Sequence, residues 1–164
     1  MKKLFSLFLL ILSLNTFAGL TDPEELEFTG ALNDGDLKTV KMYVEQKAVP
    51  LEDKYFAWTP FLITAAKNQF EILKYLTEKG ADINYIHPVT RMTGFHHAAF
   101  NGNKEMAKYL AEKGIDTHQF VLYDCFRPGF AQFADLANLK CPKPKVMYHP
   151  TPSKVYKPNI IFTK

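Results

Sequence analysis

Little in this sequence points to catalysis or to a metal. Two cysteines, one tryptophan and eight glycines are spread over 164 residues. The cysteines, Cys125 and Cys141, stand apart, so the paired Cys-x-x-Cys spacing of a structural zinc site is missing. No glycine-rich stretch has the spacing that cradles a phosphate. No Ser–His–Asp or Cys–His arrangement is defensible from spacing. Charge of one sign is not in large excess either, since 20 Lys and Arg face 17 Asp and Glu. No cofactor, metal or catalytic residue is therefore expected. Beyond the first eighteen residues there is no long apolar run, so the remainder is expected to be soluble.

What is present begins with the exception. Lys2 and Lys3 form a short basic start, residues 4–14 are almost wholly apolar, and Thr16-Phe17-Ala18 ends the stretch with small residues two apart. This is the pattern of a secretory signal peptide, with cleavage expected between Ala18 and Gly19. The apolar run is too short for a membrane span, which needs about 20 residues. No cysteine follows the cleavage site, so a lipid anchor is not expected. The mature protein is then periplasmic or secreted. In such an oxidising compartment two cysteines imply one disulfide, with two free thiols as the alternative. A bridge closing a loop of about 16 residues is worth roughly 3 kcal/mol in the chain-entropy model.

Charge is unevenly placed. Residues 140–164 hold six lysines and no acid, and are broken by Pro142, Pro144, Pro150, Pro152 and Pro158. All acidic residues precede that segment. A nucleic-acid binder should carry its basic charge on the folded domain, so that function is not expected. The tail from 140 to 164 is read instead as an irregular strap after a single domain spanning 19–139.

The domain is built on a repeat. Residues 59–84 and 93–116 match at a constant offset of 34: Thr59 with Thr93, Ala65 with Ala99, Glu71 with Glu105, Lys74-Tyr75-Leu76 with Lys108-Tyr109-Leu110, and Glu78-Lys79-Gly80 with Glu112-Lys113-Gly114. A sustained period of that length marks a solenoid of two-helix units. Thr59 and Thr93 are expected to cap the first helix of each unit, and Pro60 suits its first turn. Gly80 and Gly114 fall where the second helix must end in a left-handed residue. Ala65 and Ala99 are small enough to let neighbouring helices stack closely. Residues 28–47 form a weaker copy with Gly35 at its turn and Lys47 in place of the terminal glycine. After Arg127-Pro128, the residues Phe130, Phe133, Ala134 and Ala137 have helical spacing.

Thr59-Pro60 and Thr93-Gly94-Phe95-His96, with the exit Gly80-Ala81-Asp82, resemble the Thr-Pro-Leu-His start and the Gly-Ala-Asp exit of the ankyrin-repeat family. About residues 24–139 share the likeness and the tail does not. The resemblance implies an all-α solenoid of three units, at about 24–54, 55–88 and 89–122, with a degenerate fourth at 123–139. It implies that His96 is a structural hydrogen-bonding residue. His97 is expected to point elsewhere, and His87, His118 and His149 are expected in loops or the tail.

The resemblance also implies where a partner would bind. Ankyrin stacks vary at the hairpin tips and on the exposed side of the inner helices. The 34-residue register sets Trp58, Met92 and Phe126 at one tip position, and Tyr55, Val89 and Tyr123 at another. A third holds Phe56, Thr90 and Asp124. Lys67, Phe100 and Asn101 follow the inner-helix alanines. Aromatics of this kind dominate interface hot spots, and the alternative is that they pack against the tail. The expected function is a non-catalytic module, monomeric when free, that grips another protein and neither nucleic acid nor membrane. It would act as an adaptor or inhibitor, such as an immunity protein against a toxin. The alternative is a protective or assembly factor for an oxidant-handling enzyme such as a catalase.

Overall fold

A computed structural model describes residues 19–127 and 129–142. The signal-peptide reading, Pro128 and all of the tail after Pro142 lie outside the described residues. Six α-helices come first: α1 Asp22–Asp34, α2 Leu37–Gln46, α3 Pro60–Ala66, α4 Phe70–Glu78, α5 Gly94–Phe100 and α6 Lys104–Glu112. Three 3-10 helices follow, η1 Thr117–Gln119, η2 Leu122–Phe126 and η3 Ala131–Ala137.

The helices pair as the repeat requires. Each inner helix (α1, α3, α5) packs on the outer helix that follows it, and α3 packs on α1 and α5 on α3. Thr59 Oγ1 accepts the Leu62 N–H at 3.3 Å, and Thr93 Oγ1 accepts that of His96 at 3.5 Å. Pro60 occupies the first turn of α3, where no N–H is needed. Phe28, Phe61 and Phe95 stand at corresponding places on the three inner helices, and none has exposed surface. They form the spine of the core, with Leu32, Leu62, Ala65, Ala98 and Ala99 filling in beside them.

Polar ladders run between the units. Gln69 Nε2 donates to Asn33 O at 2.7 Å, and Asn101 Nδ2 donates to Ala65 O and Ala66 O at 3.0 and 3.2 Å. These bonds satisfy carbonyls left open at the ends of α1 and α3. The Asp82 N–H donates to Glu52 and that of Asp116 to Asn84, repeating one cross-unit contact in the following loops.

Three expectations are corrected. Lys47 does not take the place of Gly80; it is right-handed, and Ala48 is the left-handed residue, with φ 52°. The cause is that α2 is ten residues long and α4 nine. The tips are also unequal. Tyr55 and Trp58 exchange two backbone hydrogen bonds around a two-residue turn, whereas His87 pairs with Met92 around four. The equivalence of Tyr55 with Val89 fails for that reason: Tyr55 is half-buried and Val89 is exposed. Finally, the segment after residue 127 is a 3-10 helix resting mainly on α6 rather than an inner α-helix. It is the last helix among the described residues, and it buries Phe130, Phe133 and Ala134.

Candidate functional site

The concave side of the stack holds a groove of about 1050 Å³. One wall is α1, through Asp22, Glu25, Leu26, Thr29 and Asn33. The opposite side is formed by the tip residues Lys54, Tyr55, Phe56, Trp58 and Met92, and by Ile63, Ala66, Lys67, His97 and Phe100 from the inner helices. Of the residues expected to bind a partner, Tyr55, Phe56, Trp58, Lys67, Met92 and Phe100 meet here. Val89, Tyr123 and Phe126 are exposed on tips outside the groove. Asn101 departs from expectation, because its amide is committed to the end of α3.

The tip between α2 and α3 is unusual in its backbone. Phe56 and Ala57 both have positive φ, 52° and 71°. Two such residues in a row make a primed hairpin turn, a place normally given to Asn-Gly. A side chain other than glycine costs about 1–2 kcal/mol there. The turn is held by the Tyr55–Trp58 hydrogen bonds, at 2.9 and 3.0 Å, and by Tyr85 at the far end of the same unit, whose hydroxyl donates to Ala57 O at 2.7 Å. The result is a Phe56 ring that is 99% exposed.

Beneath it, Trp58 is half-buried. Its ring lies 4.7 Å from that of His87 and 5.5 Å from that of His97, measured between centroids. His87 Nδ1 accepts the Val89 and Thr90 N–H groups at 3.3 and 3.1 Å, which leaves its proton on Nε2 and fixes the four-residue tip. Burial, helped by His96 and His87, lowers the pKa of His97 to about 4, so this groove residue is neutral at pH 7. His96 lies one residue away but serves elsewhere. Its Nδ1 stands 3.0 Å from Thr93 Oγ1, and its Nε2 is 3.4 Å from Asp124, joining the third unit to η2. Burial lowers its pKa as well, against the pull of Asp124.

Sequence reasoning missed the α1 wall. Leu26 stands 33 residues before Thr59, where the repeat would have a threonine, and it is exposed. The helix begins earlier, at Thr21, whose N–H and hydroxyl both donate to Glu24 Oε2 at 2.9 and 2.8 Å. The Thr-x-x-Glu signal of that capping box was present in the sequence. Lys47, then Thr21, lower the pKa of Glu24 to about 2.

Cys125 and Cys141 are joined by a disulfide, with Cα atoms 5.5 Å apart. Among the described residues, no group of three or more His, Cys, Asp or Glu is placed to hold a metal ion, and no helix is long and apolar enough to cross a membrane.

No curated protein matches the chain. The family model for ankyrin repeats does, in three copies, over residues 28–120. That span covers the six helices from within α1 to the end of η1, and ankyrin repeats are protein-binding modules. The chain belongs to the ankyrin-repeat family.

Proposed function

We propose that this protein is a non-catalytic module, exported to the periplasm or beyond, that grips one protein partner in the groove between α1 and the hairpin tips. The observation that carries this reading is Phe56. A fully exposed aromatic ring gains nothing from water, and a left-handed backbone costs a further 1–2 kcal/mol or so at a residue other than glycine. Both costs are met at one residue, at the mouth of an apolar groove, and Tyr85, 28 residues on in the same unit, holds the turn. Backbone strain of this kind concentrates at ligand clamps. Leu26 and Phe100, also exposed, extend the same surface. Export is supported by the signal-peptide pattern of residues 1–18 and by a disulfide suited to an oxidising compartment. A module of this kind acts as an adaptor or inhibitor, and an immunity protein against a toxin is the form we favour.

The test is affinity capture from a periplasmic extract with the mature chain as bait, followed by affinity measurement on the captured protein. Phe56→Ala and Phe100→Ala should keep the wild-type melting temperature and weaken binding about 30-fold or more, as expected for hot spots of 2 kcal/mol. Trp58→Ala should lower the melting temperature as well, because its ring packs on His87 and His97. Unchanged affinity in both Phe variants would overturn the assignment of the groove.

A further inference from the structure

The floor of the groove offers side chains rather than backbone. Tyr55 and Trp58 exchange their N–H and C=O groups, the Ala66 carbonyl accepts the Asn101 amide, and the Met92 carbonyl accepts the His87 N–H. The α1 wall and the α5 side are helices, which close their main-chain bonds internally. An extended segment laid here would find no strand edge among the described residues. It would bury a row of unpaired N–H and C=O groups, each comparable to a lost hydrogen bond. An α-helix arrives with those groups already paired and asks only for an apolar groove. Leu26, Phe56 and Phe100, all exposed, supply that apolar lining above Trp58.

Charge is sorted between the two sides. Asp22 and Glu25 stand on the α1 wall, and Lys54 and Lys67 line the opposite side. All four are exposed, and none is in an ion pair among the described residues. The Lys54 ammonium is held at the tip, 5.6 Å from the centre of the Tyr85 ring. An occupant of a single charge sign is repelled by one side. One that is basic along one flank and acidic along the other is attracted by both.

The floor makes one further demand. His97 lines the groove and is only 7% exposed, yet its Nε2 has no hydrogen-bond partner among the described residues. The ring is neutral at pH 7, so it offers one donor and one acceptor nitrogen. A buried polar atom left unpaired is costly, so an occupant that pairs it binds better than a purely apolar one. A hydroxyl or a side-chain amide can both donate and accept, and so suits either tautomer. One polar residue in an otherwise apolar helix face also fixes the register of the helix.

We propose that the groove takes an amphipathic α-helix of the partner protein, with basic residues toward Asp22 and Glu25, acidic residues toward Lys54 and Lys67, and one hydroxyl or amide side chain in its apolar face seated on His97. The inference rests on the groove being the partner site and names the chemistry of what that site takes.

The probe is a displayed library of random peptides of about 20 residues, long enough for several helical turns. It is selected on the mature chain and counter-selected on the Phe56→Ala, Phe100→Ala double variant. Enriched peptides should carry apolar residues at helical spacing, one basic and one acidic flank, and a Ser, Thr, Asn or Gln within the apolar face. Circular dichroism should show them gaining helix on binding. Asp22→Lys with Glu25→Lys should weaken such a peptide about ten-fold or more, and changing its basic flank to Glu should restore binding. His97→Leu should reverse the preference for the polar residue, so that a peptide with Ala in its place binds the variant better than the parent peptide does. Each variant is read as a ratio between two peptides on the same folded protein, so a loss of stability does not imitate the result. Groove-directed peptides that are Pro-rich or strictly alternating, or whose binding ignores the charge swaps and His97, would overturn the helix and leave the groove as the partner site. A selection that enriches nothing the double variant fails to bind would overturn the groove itself.

Discussion

Ala48 and Gly80 do the same work with different success. Each ends an outer helix in the left-handed region, at φ 52° and 92°, but only glycine enters it without a Cβ penalty. Ala48 is exposed, so a glycine there would forfeit little buried surface. Ala48→Gly should therefore raise stability by about 0.5–1 kcal/mol after the extra unfolded-chain entropy of glycine is subtracted. Chemical denaturation would show it as a higher midpoint at an unchanged slope. Gly94 poses the opposite problem. It stands where α3 has Pro60, and a Cβ there would come within 2.8 Å of the buried Phe61 ring. The Phe61 ring thus leaves no room at this position for a side chain such as the proline that α3 carries at Pro60. Gly94→Ala should lose about 1–2 kcal/mol, overpacking outweighing the gain in helix propensity. Adding Phe61→Leu should recover part of that loss in the same denaturation assay, and no recovery would mean the collision is relieved another way.

At the scale of elements, the unequal hairpin tips decide the shape of the site. The two-residue turn at 56–57 is tight, left-handed and carries an aromatic, while the four-residue turn at 88–91 is wider and braced from inside by His87. Stability and binding pull against each other in the tight turn. Phe56→Asn with Ala57→Gly restores the favoured turn chemistry, and stability should rise by about 1–2 kcal/mol. Partner affinity should fall at the same time, because the anchor is gone. Calorimetry and a binding isotherm on the same sample check both halves, and a variant that gains stability with affinity intact would show that Phe56 contributes nothing to the grip.

For the whole molecule, buried histidines set the response to acid. The pKa of His97 falls to about 4, and that of His96 is also lowered, burial being the leading cause in each. Such a residue is neutral in the fold and binds a proton readily when unfolded. Its contribution is complete above the unfolded pKa of about 6.5 and is lost as pH falls toward 4. For His97 the loss amounts to roughly 3 kcal/mol. The melting temperature should therefore fall steadily from pH 6.5 to pH 4, and His97→Gln should flatten that slope. An equally steep slope in the variant would place the acid response elsewhere. Below that window, Glu24, Asp36 and Glu45, all lowered by hydrogen bonds and neighbouring lysines, lose their own contributions in turn.

The sequence by itself determined the helical units and their ends, because caps and terminators are local chemistry. Thr59, Thr93, Pro60, Gly80 and Gly114 act within a few residues of themselves, and a period of 34 states that they recur. Position in the unit alone also places Phe56, Trp58, Met92 and Phe100 on the side of the stack where the structure has its groove. The α1 wall was less legible. Leu26 breaks the repeat, and only its place in the lining of the same groove as Phe56 gives it meaning. Asn101 misled for a related reason, because a polar residue at an exposed register position has two possible partners, water or a carbonyl of the preceding unit. Only the stack decides that the carbonyls of Ala65 and Ala66 are within reach. The strain at Phe56 and Ala57, the burial of His97 beside Trp58 and the seating of η3 on α6 are likewise products of tertiary contact. Each depends on residues roughly 20 to 40 positions away in the chain, separations that local propensity cannot encode.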